Sequence, residues 1–147
     1  MIRKYVPSDF LAVLTLIQLN SPKYFHPSEE KDLIKYLKLD LEEYYVVEIA
    51  GQLVGAGGIN FGFSNGETAR ISWDLIHPDW QGKGIGSGLT LFRINEIKKN
   101  SKVIKIEVRT SQLVYAFYQK LGFELVESID DYWGKGLHLY RMEQNVL

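Results

Sequence analysis

The stretch W-D-L-I-H-P-D-W-Q-G-K-G-I-G-S-G-L-T-L, residues 73–91, limits the possible folds more than any other part of the chain. Residues 73–77 are short, apolar and aromatic and stop at Pro78, which predicts a strand. Residues 81–88 hold four glycines. From Leu89 onward, the spacing of Leu89, Phe92 and Ile97, with Leu91 and Ile94 beside them, predicts a helix. A strand, a glycine loop and a helix start together make an anion cradle. The first helical turn offers unpaired N–H groups and the positive end of the dipole, and glycines let that backbone close on a phosphate with no Cβ in between. The plain alternative is a turn without a ligand, which four glycines would destabilise for no gain.

Spacing tests which phosphate compound such a loop could hold. The dinucleotide pattern G-x-G-x-x-G fails, because from Gly82 and Gly84 the third position falls on Ser87. The P-loop pattern fails because Gly82-Lys83 is followed by Gly84. Q-x-x-G-x-G does fit, as Gln81, Gly84 and Gly86 after an apolar strand ending I-H-P. It resembles the coenzyme A loop of the GNAT superfamily of N-acetyltransferases, Q/R-x-x-G-x-G/A after a strand ending V-x-P. A second segment, A-F-Y-Q-K-L-G-F at residues 116–123, resembles the family element in which a helix carries a tyrosine near its end and closes on Gly-Phe.

The rest of the chain agrees with that resemblance. The 147 residues make one domain, 1–147, and 46% of them are hydrophobic, enough for a buried core. A net charge of −1 without a basic tail gives nucleic-acid binding no electrostatic support. The absence of cysteine excludes disulfides, thiolate metal sites and a cysteine nucleophile, and His26, His77 and His138 show no metal-ligand spacing. No apolar run is long enough to span a membrane, and the N-terminal segment has helical spacing at Phe10, Val13, Leu14 and Ile17 rather than a signal-peptide layout. These points predict a cytoplasmic protein with no metal, no nucleic-acid partner and no membrane partner; whether it is a monomer or homodimer the sequence leaves open.

In order, strands are expected at 2–5, 44–50, 53–63, 68–77, 103–109, 123–128 and 137–143. Helices are expected at about 8–19, 28–39, 89–100 and 112–121. Gly51-Gln52 is read as a hairpin turn, Gly57-Gly58 as a bulge or bend, and Gly122 as a left-handed helix stop. Hairpins followed by crossovers imply a mixed sheet with helices on both faces, an α/β (α+β) class. The resemblance implies more: a mostly antiparallel sheet of about seven strands, four helices and a splayed strand pair.

The resemblance also implies roles. The backbones of Leu75 and Ile76 would pair with pantetheine, and the Ile76 N–H would face the acetyl carbonyl. Gln81, Gly82, Lys83, Gly84, Ile85, Gly86 and Ser87 would wrap the pyrophosphate. Gln112, with Ser111, stands where the family often has a pantetheine-binding Asn. Tyr118 would face the sulfur, with Tyr115 its competitor three residues earlier. The chemistry itself needs a neutral amine, hence a proton acceptor, a donor for the carbonyl oxygen and a proton for the thiolate. Glu107 and Asp74 are the candidate bases. Either could instead be structural, Glu107 pairing with Arg109 or Lys105 and Asp74 with Arg70. Tyr24, Phe25 and His26 with Asp130, Asp131, Tyr132 and Trp133 are expected to wall the acceptor pocket. The activity implied is acetyl transfer from acetyl-CoA to a small-molecule or peptide primary amine. A non-catalytic acyl-CoA sensor is the rival.

Overall fold

The computed structural model describes residues 1–146. The elements are β1 (Ile2–Lys4), α1 (Phe10–Leu19), α2 (Glu29–Lys35), β2 (Glu43–Ile49), β3 (Gln52–Phe63), β4 (Thr68–Ile76), α3 (Ile85–Ile97), β5 (Lys105–Thr110), α4 (Tyr115–Lys120), β6 (Glu124–Gly134) and β7 (Leu137–Asn145). One sheet runs in the order β1-β2-β3-β4-β5-β7-β6. Every neighbouring pair is antiparallel except β4 and β5. This is the mixed, mostly antiparallel sheet with four helices that the resemblance implies.

Alternation along the strands builds a core on each face. On β2, Tyr44 and Val46 join Val13, Leu16, Ile17 and Leu33 of α1 and α2. Tyr45 and Val47 point the other way and pack with Leu89, Ile94 and Ile97 of α3. Each such fully buried Leu or Ile contributes about 1.5–3 kcal/mol. No helix among the described residues is long and apolar enough to cross a membrane.

Three boundaries differ from expectation for physical reasons. The β2–β3 turn is Ala50-Gly51, both at positive φ, one residue earlier than predicted; Ile49 and Gln52 close the pair around it. α3 begins at Ile85, inside the glycine run rather than after it. β6 continues through the predicted loop to Gly134, which pairs with Leu137 after an irregular stretch at 130–133; as an edge strand exposed along most of its length it lacks the alternation that would mark it.

Two irregularities in β4 open the sheet. β4 pairs with β5 only over Thr68–Ile71, so the β5-facing edge from Ser72 to Ile76 is free of strand partners. Against β3, Trp73 and Asp74 oppose the single residue Gly57, a bulge with Trp73 at φ 52°. The extra residue therefore sits on β4, not at the Gly57-Gly58 pair where the sequence placed it. Those glycines serve close approach instead. A Cβ on Gly57 would stand 2.7 Å from Arg93 Nη1 and 2.8 Å from Asp74 Oδ1.

Candidate active site

The splay forms one wall of a cleft of about 1170 Å³. At its centre, the His77 N–H donates to the Val54 carbonyl at 2.8 Å. Alternation then turns the Ile76 amide and carbonyl away from β3, toward the free edge. The carbonyl accepts from Asn20 Nδ2 at 3.0 Å and Gln81 Nε2 at 3.2 Å, and Gln81 also donates to Asn20 Oδ1 at 2.9 Å. With the carbonyl held, the Ile76 amide is left facing the cleft. Asn20, buried at the end of α1, was not singled out in the sequence. Gln81 is thus a brace for Ile76 as well as the first residue of the loop.

The glycine loop lies open at the start of α3. Gly82 and Gly84 have φ of 75° and 84°, and a Cβ on either would meet nothing within 4 Å, so the backbone there lies against open space. Gly88 is the first residue to bond back along α3, from its N–H to the Gly84 carbonyl at 3.0 Å. The N–H groups of Ile85, Gly86 and Ser87 have no acceptor inside the helix. A diphosphate fits this donor set, and the free Ile76 amide fits a pantetheine amide or thioester oxygen. Ile76, Gln81, Gly82, Gly84, Gly86 and Ser87 all line the cleft. The side chains of Lys83, Ile85 and Leu75 do not: Lys83 Nζ lies over the Trp80 ring at 5.1 Å, Ile85 packs on the core and Leu75 is fully buried toward α1.

Below the splay lies a buried polar trio. Arg93 on α3 is fully buried; its Nη1 donates to Asp74 Oδ1 at 2.5 Å and to the Gly58 carbonyl at 3.1 Å, and its Nε to the Leu89 carbonyl at 3.2 Å. The Tyr118 hydroxyl of α4 donates to Asp74 Oδ2. Burial first, and the adjacent Asp74 charge second, push the Tyr118 hydroxyl well above its ordinary pKa and keep it protonated. Burial pulls Arg93 down, but the charge and hydrogen bond of Asp74 outweigh it and the guanidinium stays charged. Arg93 was also missed in the sequence, although it shares a helical stripe with Leu89 and Ile97, where an arginine must find a buried partner.

The two tyrosines of α4 separate cleanly. Tyr118 lines the cleft; Tyr115 packs edge-on against Tyr140 with centroids 5.6 Å apart, and its hydroxyl accepts from Gln119 Nε2. The two candidate carboxylates separate as well. Asp74 pairs with Arg93, not with Arg70, and faces the cleft. Glu107 is not among the cleft-lining residues: Arg70 Nε donates to it at 2.8 Å and Arg141 Nη1 at 3.4 Å, in place of the expected Arg109 or Lys105. Gln112 is likewise turned elsewhere, donating to the Gly136 carbonyl at 2.8 Å and accepting from the His138 N–H at 3.0 Å.

The far end of the cleft is aromatic. Tyr24, Phe25 and Trp133 line it as expected, whereas His26, Asp130, Asp131 and Tyr132 stand outside. Phe25 and Trp73 stack at 6.3 Å, Tyr36 lies 6.3 Å from Trp73, and Tyr36 donates to Asn60 Oδ1 at 2.7 Å. Glu29 lines the same end. Tyr36, Asn60 and Glu29 had not been singled out. They arrive from α2 and β3, and no local pattern links those segments.

A splayed parallel pair with a glycine loop opening the next helix and a tyrosine on the helix after defines an acyltransferase fold of the GNAT type. The family model for the acetyltransferase (GNAT) domain matches residues 40–125, and the chain belongs to that family. It is 28% identical over 131 residues to an acetyltransferase of Sodalis glossinidius (strain morsitans), covering 87% of this chain and 89% of that one. Among solved structures it is similar to a protein from Desulfovibrio desulfuricans assigned to the GNAT family, with TM-score 0.82, 16% identity and coverage of 100% and 99%. It is also similar to an aminoglycoside 6'-N-acetyltransferase complexed with coenzyme A, with TM-score 0.78, 15% identity and coverage of 100% and 97%. At these identities the structural likeness carries the fold; the family match makes the chain an acetyl-CoA-dependent acetyltransferase.

Proposed function

We propose that the protein moves the acetyl group of acetyl-CoA to a primary amine, of a small molecule or a peptide, with both substrates bound at once. The observation that carries this reading is the convergence on one splay of the free Ile76 amide, the Tyr118 hydroxyl and the N-terminus of α3. Acetyl-CoA supplies the activated acyl group. The N–H groups of the 82–87 backbone hold its diphosphate, Ile76 donates to the carbonyl oxygen, and Asn20 and Gln81 fix Ile76. Tyr118 stays protonated and gives its hydrogen bond to the sulfur as negative charge grows there, while Arg93 continues to compensate Asp74. With no cysteine in the chain, a cysteinyl acyl-enzyme is impossible, which supports direct transfer.

Acetyl-CoA at a hundredfold excess over its dissociation constant should stabilise the protein by about 2.7 kcal/mol, read as a thermal shift. Thiol release with a panel of primary amines tests the transfer. A thermal shift without thiol release from any amine would favour an acyl-CoA sensor; no shift at millimolar coenzyme would remove the reading altogether.

A further inference from the structure

We infer that Glu29 receives the ammonium group of the acceptor and takes its proton, so that the acceptor enters as a cation. This rests on the acyl-transfer reading above. The described residues include three buried carboxylates, Asp9, Glu29 and Glu107. Asp9 is paired with Arg3 at 2.8 Å and Glu107 with Arg70 at 2.8 Å. Glu29 is in no ion pair among the described residues. A buried carboxylate without a cation is an incomplete arrangement that an incoming cation would complete.

Its local role does not account for its setting. Glu29 Oε2 accepts the His26 N–H at 2.8 Å, the reach-back of a helix cap. A capping carboxylate ordinarily stands in water, but Glu29 is only 6% exposed and lines the cleft. Phe25, Tyr36 and Trp73 line the same end, and aromatic faces attract an ammonium group. Burial first, with Asp32 on its own helix adding to it, pushes the Glu29 carboxyl up to about 7, a value suited to proton exchange with an amine near neutral pH. The other charged groups of the cleft are Asp74 with Arg93, Arg70 with Glu107 behind it, Arg109, Lys120, and Asp40 and Glu42 at the rim. Asp74 is a weaker claimant for the base, because one oxygen holds Arg93 and the other Tyr118.

The protons balance. Glu29 takes one proton from the ammonium and becomes the neutral acid. The lone pair so freed on nitrogen forms the C–N bond as the thioester C–S bond breaks. The nitrogen sheds a second proton, which leaves with the sulfur as the thiol, and Glu29 returns its own to solvent.

The test compares the parent with Glu29→Gln, which keeps the cap to His26, using acetyl-CoA, 2-phenylethylamine and a tripeptide with a free N-terminus. Equal thermal shifts with acetyl-CoA are expected in both proteins. Turnover of the amine that the parent accepts should fall about 10²–10⁴-fold in the variant. The acid-side loss of kcat/KM that the parent shows around neutral pH should be absent from whatever activity is left. The preferred amine tells a small molecule from a peptide terminus. A variant that keeps its activity and the same acid limb would make Glu29 a cap and nothing more. Acetyl-CoA binding with neither amine turned over by the parent would also overturn the inference. Failure of acetyl-CoA to shift either protein is a separate result, because it removes the underlying reading.

Discussion

The two ends of the cleft are built by different means. The donor end is mostly backbone: the Ile76 amide and the first turn of α3, contributed by residues 76–88 in one continuous run. The end proposed for the acceptor is side chains, with Phe25 and Glu29 around the start of α2, Tyr36 at its end, Trp73 at the bulge of β4 and Trp133 on β6. Backbone donors at a helix start suit a ligand that never changes, because the geometry follows from the fold itself. A wall of side chains from distant segments can be altered one residue at a time without disturbing the sheet, which is how one fold serves different acceptors. The trio of Arg93, Asp74 and Tyr118 joins α3 and α4 to β4 at the splay.

The largest effect is expected at that junction. Tyr118→Phe removes one oxygen and keeps the ring packed on Phe117 and Phe123. Turnover should fall about 10²–10⁴-fold, in kcat and kcat/KM together, while coenzyme affinity changes little. Full activity on an accepted amine would mean the thiolate departs without tyrosine, and the junction would be structural only.

Arg93→Met tests the same trio through stability. The guanidinium has no exposure, and its removal leaves Asp74 with Tyr118 alone. Breaking such a pair from one side destabilises by about 3–5 kcal/mol, seen as a lower denaturant midpoint with unchanged slope. Adding Asp74→Asn should recover part of the loss, since the orphaned charge goes too. A single variant within about 0.5 kcal/mol of the parent would contradict the geometry.

The same contrast explains what could be read from the sequence. Residues 73–91 carry the strand, glycine loop and helix as local spacing, while the roles expected of Ile76 and Tyr118 came from the resemblance that residues 73–91 and 116–123 carry. The mixed sheet followed from the hairpins and crossovers, but the place of β7 between β5 and β6 did not, because it depends on pairing across the fold. Arg93 was within reach, given its place on an apolar stripe. Asn20, Glu29 and Tyr36 were not, because each matters only through contacts across the fold: Asn20 to Ile76, 56 positions on, and Tyr36 to Asn60. Glu107 misled for the same reason. Its strand position was read correctly, but its partners Arg70 and Arg141 lie on the neighbouring strands β4 and β7, beyond any local pattern. The bulge at Trp73 was assigned to the glycines opposite, since glycine signals a bulge and equally signals the room a neighbour needs.

The acceptor end has its own signature in pH. Because folding raises the Glu29 carboxyl from 4.5 to about 7, the folded state holds that proton more tightly than the unfolded chain. Its contribution is therefore most favourable below pH 4.5 and declines as pH rises through about 7. The loss amounts to about 1–3 kcal/mol. Glu29→Gln should be as stable as the parent or more so at pH 8, with the gap closing toward acid. A parent more stable than the variant at pH 8, losing that advantage toward acid, would place Glu29 in an ion pair that the structure lacks.

The smallest effect is expected from Tyr115→Phe, and its smallness is informative. The change is chemically identical to Tyr118→Phe and falls one turn earlier on the same helix, so helix propensity and lost hydroxyl are matched between the two. Tyr115 keeps its ring against Tyr140, and the hydroxyl it loses is paired only with the exposed Gln119 amide, which water replaces. Stability should move by less than about 0.5 kcal/mol, as for a surface substitution. Coenzyme affinity and turnover should stay within about twofold of the parent, because less than 0.5 kcal/mol is a factor near 2. A large loss of turnover here, with Tyr118→Phe silent, would require α4 to be rotated so that Tyr115 rather than Tyr118 reaches Asp74. The splay would then present a different hydroxyl to the sulfur, and that junction would have to be rebuilt around it.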